Sequence, residues 1–137
     1  MTTTVFEVAD EVVVEHHEAA SLLVVTWVRW SGHDTFTACL DAQADVVEAG
    51  RARYVIVDIQ AATGAPSAMD RDYVRRFVFP RFRDGGLEAI VIVRAGNGHT
   101  RMATQDWARS GRAWRFDMHE VDSAGEAHRL VRRTCEQ

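Results

Sequence analysis

The sequence contains no lysine, so all 16 of its basic residues are arginine. It has two cysteines, Cys39 and Cys135, which allow at most one cysteine pair. Because the N-terminus lacks a basic region followed by an apolar core, we expect a cytoplasmic protein with both thiols reduced. The longest apolar runs, such as SLLVVTWV, are too short to cross a bilayer, so no transmembrane segment is expected.

The chain also lacks a basic excess. Its formal net charge of -4 argues against a general nucleic-acid binder. The charge is unevenly distributed: residues 1–70 hold 3 Arg and 11 acidic residues, a net of -8, whereas residues 71–137 hold 13 Arg and 9 acidic residues, a net of +4. With 137 residues, of which 47% are hydrophobic, the composition is that of a single globular domain.

Runs of β-branched and aromatic residues predict five strands, of which the first two form an antiparallel hairpin. The predicted strands are Val12–Ala19, Leu22–Trp30, Tyr54–Ile59, Glu88–Ala95 and Ala113–Val121. Leu22–Val28, Tyr54–Ile59 and Ile90–Val93 are apolar on both faces, and we expect them to be adjacent, parallel and buried.

Apolar residues at helical spacing predict four helices between and after the strands. Their expected inward positions are Phe36, Cys39, Leu40 and Val47 in the first, Met69, Tyr73 and Phe77 in the second, Ala103 and Trp107 in the third, and Ala127, Leu130, Val131 and Thr134 in the last. Gly50 is expected to stop the first helix, Pro80 to kink or end the second, and Ser123 to cap the last. The order β-β-α-β-α-β-α-β-α predicts an α/β fold with a mixed, mostly parallel sheet.

Four segments carry a resemblance to a known family: VTWVRWSG, VIVDI, FPRFRDGGLEAIVIV and FDMHEVDSAGEAHRLV. In their order and spacing, over about residues 12–131, they resemble the SpoIIAA-like (STAS) family of small bacterial proteins, also called STAS/SEC14-type. The resemblance implies a single STAS-like domain covering residues 1–137. Phosphorylated STAS proteins carry Asp-Ser-Ser-Gly where this chain reads GAPSAMD, with the single Ser67.

The carboxyl edge of the predicted sheet is the expected place for a ligand, as in open α/β sheets. The candidate ligand-binding residues there are Asp58, Thr63, Ser67, Asn97 and His99. Asp58 is either a ligand group or a side chain that fixes its own turn. The Gly96–His99 loop is either a plain turn or a set of amides that receives an anion. Ser67 has Asp70 three residues on, the spacing of a helix cap, and phosphorylation of Ser67 is the alternative to that role.

These residues contain no nucleophile, base and orienting group at recognisable spacing, so we expect no enzymatic activity and no cofactor. No metal site is expected either. His16 and His17 are adjacent on a strand and therefore point to opposite faces, and the other histidines lack zinc-ligand spacing.

The segment DYVRRFVFPRFR interleaves arginine with aromatic residues, as protein interfaces do. If Met69, Tyr73 and Phe77 fill the inward stripe, two phenylalanines, one on each side of Pro80, are left partly exposed beside arginines. The expected interface for a protein partner or a homodimer is Arg75, Arg76, Phe79, Arg81 and Phe82.

The expected function is a non-enzymatic, STAS-like binding or regulatory module that acts through protein contact or by holding a small ligand. The first alternative, from the SEC14-like side of the resemblance, is a carrier of lipid or another apolar ligand. The second is an enzyme that uses Asp58 and the Gly96–His99 loop. An apolar cavity would favour the carrier, and a deep polar pocket that holds Asp58 and His99 would favour the enzyme.

Overall fold

The computed structural model describes residues 2–30, 32–94 and 114–135, which form an α/β structure with one six-stranded mixed sheet. The strands are β1 (Thr2–Val8), β2 (Val12–His17), β3 (Leu22–Trp27), β4 (Tyr54–Asp58), β5 (Ala89–Val93) and β6 (Asp117–Val121). Their order in the sheet is their order in the sequence. β1 to β3 are antiparallel neighbours, and β3 to β6 are parallel neighbours.

The central strands are placed as their two-sided hydrophobicity predicts. β3, β4 and β5 are adjacent and parallel, with Val24 opposite Ile56 and Ile56 opposite Val91. Neither β3 nor β5 is at an edge of the sheet, because β2 and β6 flank them. The prediction of three adjacent, parallel and buried strands is therefore confirmed, except that β3 ends at Trp27 and Val28 is 47% exposed.

The antiparallel end of the sheet has one strand more than predicted. The β2–β3 hairpin is confirmed, but β2 ends at His17 because Glu18–Ala20 form a 3₁₀ turn. β1 was missed because it is rich in threonine and exposed at its first three residues. Only its later apolar residues, Val5, Phe6 and Val8, pack against the core.

The helices cover both faces of the sheet. They are α1 (His33–Glu48), α2 (Ala68–Tyr73), a π-helical segment (Val74–Val78), α3 (Phe79–Asp84) and α4 (Ala124–Cys135). α2, the π segment and α3 follow one another directly and are called the helix 68–84. This helix and α1 pack on one face of the sheet, where Val55 and Ile90 point. α4 packs on the other face, against Tyr54 and Ile56. This alternation explains why the central strands are apolar at nearly every position.

Most predicted inward helix positions are confirmed. In α1, Phe36, Cys39, Leu40 and Val47 are all buried. In α4, Ala127 and Val131 are buried, but Thr134 is exposed and its hydroxyl donates to the Leu130 carbonyl at 3.0 Å. The predicted third helix, with Ala103 and Trp107, lies outside the described residues. No helix among residues 2–30, 32–94 and 114–135 is long and apolar enough to cross a membrane.

The orientation predicted for the helix 68–84 is wrong. Met69 and Phe77, expected inside, are 65% and 57% exposed. Phe79 and Phe82, expected to be partly exposed, are only 3% and 2% exposed. Phe79 packs edge-on against Phe116, with ring centroids 5.4 Å apart. Neither phenylalanine can therefore take part in the surface interface that the sequence predicted.

The physical reason is a choice between two rows of residues. Met69, Tyr73 and Phe77 form one row spaced by four, and the next row is Asp70, Val74, Val78 and Phe82. The second row extends past Pro80 and gains Phe79, so burying it removes more apolar surface from water. Four residues of an α-helix turn through about 40° more than one full turn. A row of residues spaced by four therefore drifts slowly around the helix. The wider π segment at 74–78, directly before Phe79 and Pro80, compensates for part of that drift.

Candidate functional site

The end of β4 and the loop after it hold three of the predicted ligand-binding residues, and each has a hydrogen-bond partner within the chain. The Asp58 carboxylate accepts from the Gln60 amide at 3.0 Å, which fixes the turn. The Thr63 amide donates to the Val28 carbonyl at 3.0 Å, and the Thr63 carbonyl accepts from the Trp30 amide at 3.1 Å. Asp58 therefore fixes its own turn, and Thr63 joins the loop to the segment that follows β3. Asn97, His99 and the Gly96–His99 loop lie outside the described residues.

Ser67 caps α2 in a reciprocal capping box, so its predicted capping role is confirmed. Its hydroxyl oxygen accepts from the Asp70 amide at 3.0 Å, and the Asp70 carboxylate accepts from the Ser67 amide at 2.9 Å. The Pro66 carbonyl accepts from Arg71 at 2.8 Å in the same turn. Phosphorylation of Ser67 remains a prediction.

Replacing Ser67 tests the cap directly. We expect Ser67→Ala to lower the free energy of unfolding by about 1 kcal/mol, because one helix amide loses its acceptor. Ser67→Asp should stay close to wild type, since a carboxylate can accept the same hydrogen bond. Urea unfolding followed by circular dichroism measures both variants. An alanine variant as stable as the wild type would contradict this role.

Asp70 has a second partner that sequence reasoning missed. The residue is 5% exposed, and one carboxylate oxygen lies 2.5 Å from His33 Nδ1 at the start of α1. The sequence assigned Asp70 only to the helix cap that it shares with Ser67. Its capping-box spacing was visible in the sequence, whereas His33 lies 37 residues away and left no local signal.

Arg81, predicted to belong to the interface, is instead bound within the molecule. Its guanidinium pairs with Asp45 at 2.6 Å, with Glu48, and with Asp41 at 3.7 Å, all on α1. The Tyr73 hydroxyl donates to Asp41 at 2.6 Å, and this bond, with burial, raises the pKa of Tyr73 to about 12. These contacts hold the helix 68–84 against α1.

The outward row of that helix forms an exposed apolar surface, which we call the Met–Tyr–Phe stripe (Met69, Tyr73 and Phe77). The rings of Tyr73 and Phe77 lie 5.2 Å apart, and Tyr73 is half-buried between its two exposed neighbours. Arg75 and Arg76 are exposed beside the stripe and share one carboxylate, that of Asp72, at 3.2 and 3.1 Å. Two of the three large hydrophobic residues that the described part of the chain exposes belong to this stripe.

A small apolar cavity lies beneath the same helix. Its volume is about 50 Å³, and its lining includes Trp27, Phe36 and Phe82. Among the described residues of the lining, one has an amide side chain, Gln43, which donates to Cys39 Sγ at 3.4 Å. An apolar cavity of about 150 Å³ binds benzene, and this much smaller space has no room for a lipid chain.

Neither the Cys39 thiol nor the His16 imidazole lies at a reactive site. Cys39 is buried and free, and burial raises its pKa to about 12, so it is not a thiolate nucleophile at neutral pH. His16 Nε2 lies 2.8 Å from the Arg51 carbonyl. Within the described residues, no group of three His, Cys, Asp or Glu side chains could hold a metal ion.

We expect His128 on α4 to make the free energy of unfolding depend on pH. Its pKa is lowered by burial first and then by His17, whose ring centroid is 6.2 Å away, and by Arg132. The folded protein therefore binds this proton less readily than the unfolded chain. We expect the free energy of unfolding to be fully retained above the ordinary histidine value of 6.5 and to fall as the pH drops below it.

Urea unfolding at about pH 7.5 and about pH 5.5 measures this loss. His128→Gln, which cannot be protonated, should lose less stability between the two pH values than the wild type does. His119→Gln, at an exposed position on β6, is the matched control and should retain the wild-type loss. Equal losses for wild type and His128→Gln would show that another group is responsible.

The described residues thus form a mixed apolar and arginine surface on a well-anchored helix. Asp58 fixes a turn, Thr63 holds the loop to the segment after β3, and Ser67 caps α2. No protein-family model, no curated protein and no solved structure matches this chain.

Proposed function

We propose that the chain is a non-enzymatic, STAS-like binding or regulatory module that acts through protein contact at the Met–Tyr–Phe stripe. The observation that carries this proposal is the exposure of Met69 and Phe77, at 65% and 57%, on one face of one helix. Large apolar side chains that cluster at the surface cost free energy in water and are typical of interaction sites. Aromatic residues, methionine and arginine are also the residue types enriched at interfaces.

The way the stripe is held supports the proposal. The capping box fixes the start of the helix, and the contacts of Arg81 and Tyr73 fix it against α1. The π segment Val74–Val78 contains Phe77 of the stripe, and such segments are frequent at functional sites. A surface that is already ordered loses little conformational entropy on binding, which favours affinity.

The two alternatives have less support. A carrier would use the apolar cavity under the helix, which at about 50 Å³ has no room for an acyl chain. An enzyme would use Asp58, whose carboxylate already accepts from the Gln60 amide at 3.0 Å. Protein contact therefore remains the proposed mode of action.

A photo-crosslinking side chain at position 77 tests the proposal in the protein's own cells. We expect a discrete covalent adduct at position 77 that disappears when Met69→Asp is added. Position 134, exposed on α4 at the opposite face of the sheet, is the control and should not give that adduct. The cross-linked protein, once purified, should bind Phe77→Asp at least tenfold more weakly than wild type. Identical adducts from both positions, or none, would overturn the proposal.

A further inference from the structure

We propose that the Met–Tyr–Phe stripe binds a second copy of this chain, in a symmetric dimer whose two-fold axis runs along the stripe. This inference rests on the proposed function, since it requires the stripe to be a protein-contact surface. It adds the identity of the partner and the geometry of the contact. The argument for it is the distribution of charge on the two sides of the stripe.

One side of the stripe is acidic. α1 contributes Asp34, Asp41, Asp45 and Glu48, and it contains no arginine. The hydroxyl of Tyr73 reaches Asp41, so α1 borders the stripe directly. Arg81 supplies a single positive charge to three of these carboxylates, and the side chain of Asp45 is still 74% exposed. The α1 side therefore keeps a negative excess.

The other side of the stripe is basic. Arg75 and Arg76 have largely exposed side chains and share the single carboxylate of Asp72. Arg75 and Arg76 follow Tyr73 by two and three residues. At about 100° per residue, this spacing places them on the side of the helix away from α1. One positive charge is therefore left over on this side.

Only one two-fold symmetry places the acidic side of each copy opposite the basic side of the other. When a two-fold axis runs along the stripe, the stripes of two copies face each other, and the acidic α1 of each copy lies over Arg75 and Arg76 of the other. An axis across the stripe would place acidic side against acidic side, which is destabilising. A two-fold dimer uses the same surface patch on both copies. The apolar stripe, with acidic residues on one side and arginines on the other, is such a patch.

Charge reversal on the purified full-length chain tests the dimer. Sedimentation equilibrium up to millimolar concentration should show a concentration-dependent dimer of the wild type. Arg76→Glu alone and Asp45→Arg alone should each weaken dimerisation at least tenfold, because each places like charges across the interface. Phe77→Asp should weaken dimerisation although the acidic residues of α1 and the arginines at 75 and 76 are unchanged. The Thr134→Asp control should dimerise as the wild type does.

The decisive measurement is an equimolar mixture of Arg76→Glu with Asp45→Arg. In the mixed dimer, the unchanged α1 of the first variant meets the unchanged Arg76 of the second. The arginine introduced at position 45 then meets the glutamate introduced at position 76, so both contacts pair opposite charges. Dimerisation should therefore return towards the wild-type strength. A mixture that stays monomeric overturns the proposed axis even if the wild type dimerises.

A wild type that stays monomeric at millimolar concentration overturns the dimer altogether. If cross-linking at position 77 then still captures a different protein, the proposed function stands and only the identity of the partner is wrong. If position 77 captures nothing, both proposals fail. Circular dichroism and urea unfolding establish that each variant is folded. If Asp45→Arg proves unfolded, the Phe77→Asp and Arg76→Glu results decide for or against the dimer.

Discussion

Phe82→Ala is expected to lower the free energy of unfolding by about 3–5 kcal/mol. Phe82 is 2% exposed, and its ring lies 6.5 Å from that of Phe116 and 6.4 Å from that of Phe79. It also lines the apolar cavity, so its removal would enlarge a space that the core already fails to fill. The loss therefore combines the lost burial of the ring with the cost of a larger cavity.

Phe77→Ala is the matched control, because it removes the same ring from an exposed position on the same helix. We expect it to change stability by no more than about 0.5 kcal/mol. Urea unfolding followed by tryptophan fluorescence measures both variants. Similar losses for the two would mean that the helix does not face the sheet as described, and a larger loss for Phe77→Ala would mean that the row predicted from the sequence is the buried one.

Asp70→Ala is expected to lower the free energy of unfolding by about 2–4 kcal/mol. The substitution removes a capping bond, worth about 1 kcal/mol, and a hydrogen bond to His33 that involves a charged group, worth about 1.5–3 kcal/mol. The capping bond that is lost is the one that the Asp70 carboxylate accepts from the Ser67 amide. Both α2 and the start of α1 should be affected, since this carboxylate joins them.

Asp72→Ala is the control for Asp70→Ala. Its carboxylate is exposed and pairs with Arg75 and Arg76, so we expect a loss of no more than about 1 kcal/mol. A double-mutant cycle of Asp70→Ala with His33→Ala should give a coupling energy of at least about 0.5 kcal/mol. Strict additivity of the two substitutions would show that the contact with His33 contributes nothing to stability.

Local sequence signals predicted those elements that are buried whichever of their faces packs against the core. β4 and β5 are apolar at nearly every position, so any packing that covers both faces of a sheet buries them. The capping box of Ser67 and Asp70 spans four residues and was readable from their spacing. β1 gave no such signal, because its exposed threonines depend on pairing with β2 for their conformation.

The candidate site could be predicted only in part, since its residues are brought together from distant parts of the chain. The aromatic and arginine-rich character of residues 72–83 was visible in the sequence. The contact of Asp70 with His33 spans 37 residues, and that of Arg81 with Asp45 spans 36, so neither leaves a local pattern. The expected interface therefore contained two arginines that the structure does expose, Arg75 and Arg76, and two phenylalanines that it buries.

The sequence by itself determined the α/β class, the parallel centre of the sheet, the inward stripe of α1 and the cap at Ser67, because each follows from periodicity or spacing over a few residues. Only the tertiary structure decided which row of the helix 68–84 is buried. Two apolar rows one residue apart compete there, and the free energy depends on what each would contact. Val78, Phe79 and Phe82 pack into the core with Phe116, and that packing turns Met69 and Phe77 towards the solvent.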